Sequence, residues 1–164
     1  MAGRTVSKWV KFYIGDSGAV IREIPVDSIN GVGLDYPEKD LTAFQDAVHG
    51  VLPEIPELEI TIAGPFDNSA AQAASGSATA PALSGSHTVL YNLAGGNTPL
   101  AFGIAIGIRH YYETGEPVFG ITGTAANGFL CLSYVVNPDD AKYTAKFKVY
   151  PGSAVPAWGA ALIT

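Results

Sequence analysis

The sequence predicts a mainly β fold: a β-sandwich or barrel-like body of about eight strands with one flanking α-helix and long assembly loops. Three observations carry this. Leu58–Gly64 and Ala141–Tyr150 alternate with the two-residue period of a half-buried strand. The 164 residues include 19 Gly and 11 Pro yet only 15% are charged, a composition that suits short strands, tight turns and apolar surface for a partner to cover. One stretch, around Thr42–Gly50, carries helix signals at both ends. The length fits a single domain over 1–164.

Taken in order, Ser7–Ile14 reads as a strand, with Trp9 and Phe12, or Val10 and Ile14, facing inward according to register. Gly15–Gly18 (GDSG) is a turn. Ala19–Val32 reads as a strand interrupted near Pro25, as an edge or bulge would be. Thr42 and Gln45 have the spacing of a capping box, and Phe44, Ala47, Val48 and Val51 fall on one helical face. Gly50 suits the left-handed terminal position, and Pro53 forbids continuation. Leu58–Gly64 is a strand that Pro65 ends. Asn68–Ser86, almost all Ala, Ser, Gly and Thr, reads as a long inter-subunit loop with a weak helical turn at Ser69–Ala74.

The second half reads as strands at His87–Leu93, Leu100–Tyr111, Pro117–Thr124, Phe129–Val136 and Ala141–Tyr150, with hairpin-type turns at Leu93–Asn97 and Ala125–Gly128. Along the last strand Tyr143, Ala145, Phe147 and Val149 share one face and Lys142, Thr144, Lys146 and Lys148 the other. The tail, 151–164, is too rich in Pro and Gly for regular structure, so Trp158, Leu162 and Ile163 read as docking anchors.

The net charge of −6 argues against a nucleic-acid binder with a basic face. Charge is also unevenly placed. Glu23, Asp27, Asp35, Glu38, Asp40, Asp46, Glu54, Glu57, Glu59 and Asp67 accompany Lys39 alone in their segment, Asn68–Ile108 has no charged residue, and lysines gather near both ends. Solvated edges explain this simply; complementary surfaces on neighbouring copies are the sharper reading. MAGRTVSKWV lacks a signal-peptide core, the apolar run Leu100–Ile108 is far short of a span, and no Asn-x-Ser/Thr sequon occurs, so a soluble chain made in the cytosol and no membrane partner are expected.

The residues that could carry chemistry have simpler structural roles. Cys131, alone in FLCLSY, is expected to be a buried strand thiol. His49, His87 and His110 lack metal-ligand spacing, and Ser86 beside His87 would point to opposite faces of a strand. Gly31-Val-Gly33 lacks the third glycine of a dinucleotide loop, and Asn137–Asp140 is better a turn than a calcium site. Gly103–Gly107 is too short for a membrane packing motif, and Glu113 and Glu116 flank a solvent-facing turn. No catalytic, cofactor-binding or metal residue is assigned, and no cofactor or enzymatic activity is expected.

One segment, DLTAFQDAVHGVLPEIPELEITIAGPFDN, resembles the signature region of tail tube (major tail) proteins of long-tailed bacteriophages, through Asp40, Thr42, Phe44, Asp46, Pro56, Ile60, Ile62, Gly64, Phe66 and Asp67. DDAKYTAKFKVYPGSA is similar to that family's closing strand, so about half the chain is covered. The resemblance implies a tail tube sandwich assembled as homo-oligomeric, hexameric rings that stack into a virion tail tube. Its expected partners are tape measure and tail terminator proteins, with assembly in the bacterial host cytoplasm. DNA would pass an acidic lumen without specific binding, like charge keeping its backbone from sticking. Capsid decoration or head–tail joining is the alternative role. In another class, a carbohydrate- or cell-surface-binding module would use Trp9, Tyr36, Tyr111, Tyr112 or Trp158 as stacking platforms, although core or interface packing explains them more simply.

Overall fold

A computed structural model describes residues 10–42, 50–53, 56, 58–73, 82–106, 117–121 and 127–159. Its strands are β1 (Val10–Gly15), β2 (Ile21–Ile24), β3 (Ser28–Asn30), β4 (Glu38–Asp40), β5 (Val51–Pro53), β6 (Glu59–Pro65) and β7 (Ala82–Leu83), then β8 (Phe102–Ile106), β9 (Val118–Ile121), β10 (Phe129–Asn137), β11 (Lys142–Val149) and β12 (Ala157–Gly159). One helix, α1 (Ser86–Leu93), lies between β7 and β8. The first sheet runs β12-β9-β8-β1-β2-β7, the second β10-β11-β6-β3, and β4 with β5 forms a separate two-stranded hairpin. Pairing is antiparallel except between β2 and β7. The fold is mainly β and sandwich-like, as expected; a bridge between Leu100 and Phe129 joins the two sheets at one corner without closing a barrel.

Alternation sets the core. Phe12, Ile14, Ile24, Phe102, Ile104 and Phe119 of the first sheet meet Ile60, Ile62, Phe129, Cys131, Tyr143, Ala145 and Phe147 of the second, all buried. Phe102 lies 4.4 Å from Phe129 and Phe12 lies 5.8 Å from Phe147 between ring centroids, so aromatic contacts bind the layers. Tyr13, on the other face of β1, is also buried, with Ala105 and Val118. The register sets it in line with Gly103 and Gly120, two positions without side chains beside a large ring.

Pro25 marks a change of sheet rather than a bulge within one strand. The expected strand Ala19–Val32 is two, β2 in one sheet and β3 in the other. The crossing is tight: a Cβ on Gly64 would stand 2.7 Å from the Pro25 carbonyl oxygen, and the Tyr143 hydroxyl donates to that oxygen at 2.8 Å. Asp16 organises the preceding turn by accepting from the Gly18 and Val20 N–H groups, while Ala19 adopts φ 61°.

The structure corrects several elements. His87–Leu93 is helical, not a strand. Ser86, Val89, Leu90 and Leu93 are buried at i, i+3, i+4 and i+7, a helical period, and eight residues too short to persist alone are held by that packing. The expected helix around Thr42–Gly50 has its body, 43–49, outside the described residues, but its flanks are a hairpin. The Leu41 N–H donates to the Gly50 carbonyl at 2.9 Å, and the Thr42 hydroxyl accepts from the Gly50 N–H at 2.9 Å. Val51, expected on the helical face, lies in β5, and Gly50 is not among the positive-φ glycines.

Residues 69–73 form no helical turn, and β7 adds a parallel edge where only loop was expected. Leu93–Asn97 follows a helix, and Asn127-Gly128 leads from β9 in one sheet to β10 in the other, so neither is a hairpin turn. The tail holds a regular strand: β12 pairs with β9, and Trp158 lies 5.2 Å from Phe119.

Candidate assembly surfaces

The β4–β5 hairpin is exposed along both of its strands. All six of its strand residues are exposed, with Val51 at 50% and Leu52 at 55%. Register places Glu38 opposite Pro53 and Asp40 opposite Val51, so two carboxylates flank two apolar residues on one face; Lys39 and Leu52 occupy the other. The Thr42 backbone N–H, and then its hydroxyl, hold the Asp40 carboxyl below its ordinary value of 3.8. A two-stranded hairpin is at best marginally stable in water, and exposed Tyr36 and Leu41 extend the apolar surface at its base and turn.

At the root of the hairpin lies a cleft of about 390 Å³. Leu34, Leu58, Val149 and Val155 supply apolar lining, and Glu59 and Lys148 stand at the same cleft. Strand alternation then puts Lys142, Lys146 and Lys148 on the outer face of β11, as the sequence predicts. Lys146 and Lys148 both reach Glu59, at 3.0 and 3.2 Å, and Lys142 reaches Asp27 at 3.1 Å. The Lys146 and Lys148 ammonium groups hold the Glu59 carboxyl below its ordinary value. Among the described residues, one carboxylate shared by two lysines leaves a surplus positive charge beside the cleft. Exposed pairs of this kind add little to stability, so the sign of the face matters more than its bonds.

A second surface lies where α1 meets β10. His87 Nδ1 is 3.0 Å from the Tyr134 hydroxyl, and the His87 ring stacks near Phe66 at 4.8 Å and Tyr91 at 5.3 Å. Burial raises the pKa of the Tyr134 hydroxyl. The Ser86 hydroxyl is directed elsewhere: it donates to the Pro65 carbonyl at 2.8 Å and accepts from the Asp67 N–H at 3.1 Å. Ser86 and His87 are therefore separately engaged, though on a helix and not on opposite faces of a strand.

Other residues singled out by sequence fall into structural places. Cys131 is buried, and burial pushes its thiol up to about 11. Gly31 and Gly33 take positive φ in the turn after β3, and Asn137–Asp140 closes the β10–β11 hairpin. No group of three His, Cys, Asp or Glu suited to a metal occurs among the described residues, and no described helix is long and apolar enough to cross a membrane. Of the candidate stacking aromatics, Tyr36 is exposed at the hairpin base and Trp158 is half-exposed against Phe119. Trp9, Tyr111, Tyr112, His49 and His110 lie outside the described residues. The hairpin carries no strand signal in the sequence, since Glu38-Lys39-Asp40 is charged throughout and lacks apolar alternation.

No protein-family model matches the chain, and no curated protein matches it by sequence. Solved structures do share its fold. A sheath/tube terminator of an extracellular contractile injection system (PVC), in the extended state, superposes with a TM-score of 0.58 at 10% identity, covering 98% of this chain and 99% of the other. The tube-terminating cap of the anti-feeding prophage (AFP) gives 0.60 at 9% identity over 98% and 93%. A chain of the PVC sheath-tube complex, also in the extended state, gives 0.55 at 11% identity over 96% and 92%. At these identities the likeness concerns the fold.

Proposed function

We propose that this chain is a structural subunit of a phage-like tail or injection tube, forming a homo-oligomeric ring that terminates the tube. One observation carries the reading: the fold matches tube-terminating proteins over nearly their full length and its own, with TM-scores of 0.58 and 0.60. In this reading residues 1–164 are one domain, with 68–86 and 151–164 contributing to contacts between subunits. Six copies form the ring, other tail proteins are its neighbours, and DNA or other cargo passes the lumen without specific binding. The low charge of the chain and its exposed hairpin suit a subunit whose function is contact, and the engaged side chains of Ser86, His87 and Cys131 supply no reactive pair.

The likeness to a chain of a sheath-tube complex favours a second reading, a tube-building subunit whose rings stack. The two differ in closure: stacking uses heterologous contacts that propagate, whereas a terminator presents one face that accepts no further ring. Negative-stain microscopy of purified protein, alone and with preformed tubes, tests both. Discrete rings that cap tubes and stop elongation are expected. Long tubes from this chain alone would favour the second reading, and protein that neither forms rings nor binds tubes would overturn both.

A further inference from the structure

Resting on the reading of this chain as a ring subunit, we infer that the Glu38/Asp40/Val51/Pro53 face of the hairpin docks into the cleft beside Lys146 and Lys148 of a second copy. The two surfaces correspond in kind. The hairpin face sets carboxylates beside apolar side chains, and Glu38 has no ion pair among the described residues. The cleft sets apolar Leu34, Leu58, Val149 and Val155 beside a pair of lysines that share the single carboxylate of Glu59.

Size agrees as well. About 390 Å³ accommodates side chains of a strand rather than a whole element. The acidic face is exposed along the whole of both hairpin strands, so it is open to a neighbour. A second copy is the occupant because both halves of the match, the acidic hairpin face and the lysine-edged cleft, are surfaces of this chain, although each copy carries −6 overall. Like molecules repel on average, so self-association needs a local site of opposite sign, and the outer face of β11 supplies one. Knob and cleft are different patches of one surface, so the contact is heterologous and propagates from copy to copy, as a ring requires.

The expected test uses two charge-reversed full-length chains. One carries Glu38→Lys with Asp40→Lys; the other carries Lys146→Glu with Lys148→Glu. Each alone presents like charges at every such contact, whereas an equimolar mixture restores opposite charges at every contact. Sedimentation velocity should show self-association weakened by roughly tenfold or more in each variant alone and recovered in the mixture. Thermal melts establish that each variant folds. A chain carrying all four reversals, which restores complementarity within one sequence, replaces any single partner that does not. If the unaltered chain assembles and both variants assemble equally well, or if mixing restores nothing, the docking inference is overturned while the ring reading stands. An unaltered chain that stays monomeric and binds no tube overturns the ring reading itself.

Discussion

Arg22 shows how one charge is accommodated near the core. It is 8% exposed, bonds Asp16 Oδ2 at 2.9 Å through Nε, and donates through Nη1 to the Gln72 carbonyl, tying β2 to the segment that precedes β7. For Asp16, burial opposes ionisation, but Arg22 and the Val20 and Gly18 N–H groups outweigh it and hold the carboxyl below 3.8. A depressed folded-state pKa contributes stability above the unfolded value, and that contribution is lost as pH falls through the folded one. Asp16→Asn should therefore cost about 1–2 kcal/mol at pH 7, modest because the carboxylate is partly in water. The gap to the parent should close in urea melts run progressively below pH 4. Cys131 has the opposite sign. Its neutral thiol is favoured on folding, so stability is full below pH 9 and declines as pH rises towards about 11, where the folded thiol ionises. The difference between parent and Cys131→Val should isolate that decline, and a thiol reagent should label the native chain far more slowly than the unfolded one.

At the scale of elements, α1 depends on its neighbours more than on its own ends. Gly85 precedes it without a side-chain cap, and a Cβ there would stand 2.6 Å from the Asp67 carbonyl oxygen. The 65–69 segment serves instead: His87 N–H donates to Asp67 and the Thr88 hydroxyl to Ser69, while Ser86 closes the contact with Pro65 and Asp67. Ser86→Ala strands two partly buried backbone groups and should lower stability by about 2–3 kcal/mol in chemical melts; Thr88→Ala, at an exposed bond, should lose under about 1 kcal/mol. These contacts also show what the sequence made legible. Alternation identified β6 and β11 and the outward lysines, because a period of two survives in strands with one wet face. It failed at His87–Leu93, where Val89, Leu90 and Leu93 were grouped as a strand although their spacing is helical. It failed again at Val51, whose spacing from Val48 suits a helical face and which lies in β5 opposite Asp40. Proline content masked β12, a three-residue edge strand that depends on β9 and on Trp158 meeting Phe119.

For the whole molecule, the distribution of burial separates what folds the chain from what it offers to others. Two sheets share a continuous aromatic and aliphatic core, while the hairpin stands outside it with Val51 and Leu52 about half exposed. β7 and β12, drawn from segments expected to order against neighbours, already have strand partners within the chain. Backbone amides that sit in a core ladder are protected in the isolated protein, whereas those of a marginal hairpin open at little free-energy cost. Hydrogen exchange should therefore rank three regions differently. β6 and β11 amides are slow in monomer and assembly alike. β12 amides exchange at an intermediate rate in the monomer, because a short edge strand opens locally. The Leu41 and Gly50 amides, bonded only across the hairpin, exchange fast in the monomer and gain the largest protection on assembly, roughly tenfold or more if the hairpin is held by a partner. That gain should shrink when assembly is weakened at about 1 M salt, where the screening length falls to about 3 Å. Equal protection of the hairpin before and after assembly would mean that the exposed arm is not where the copies meet, and that the contact lies on the outer sheet faces or around α1 instead.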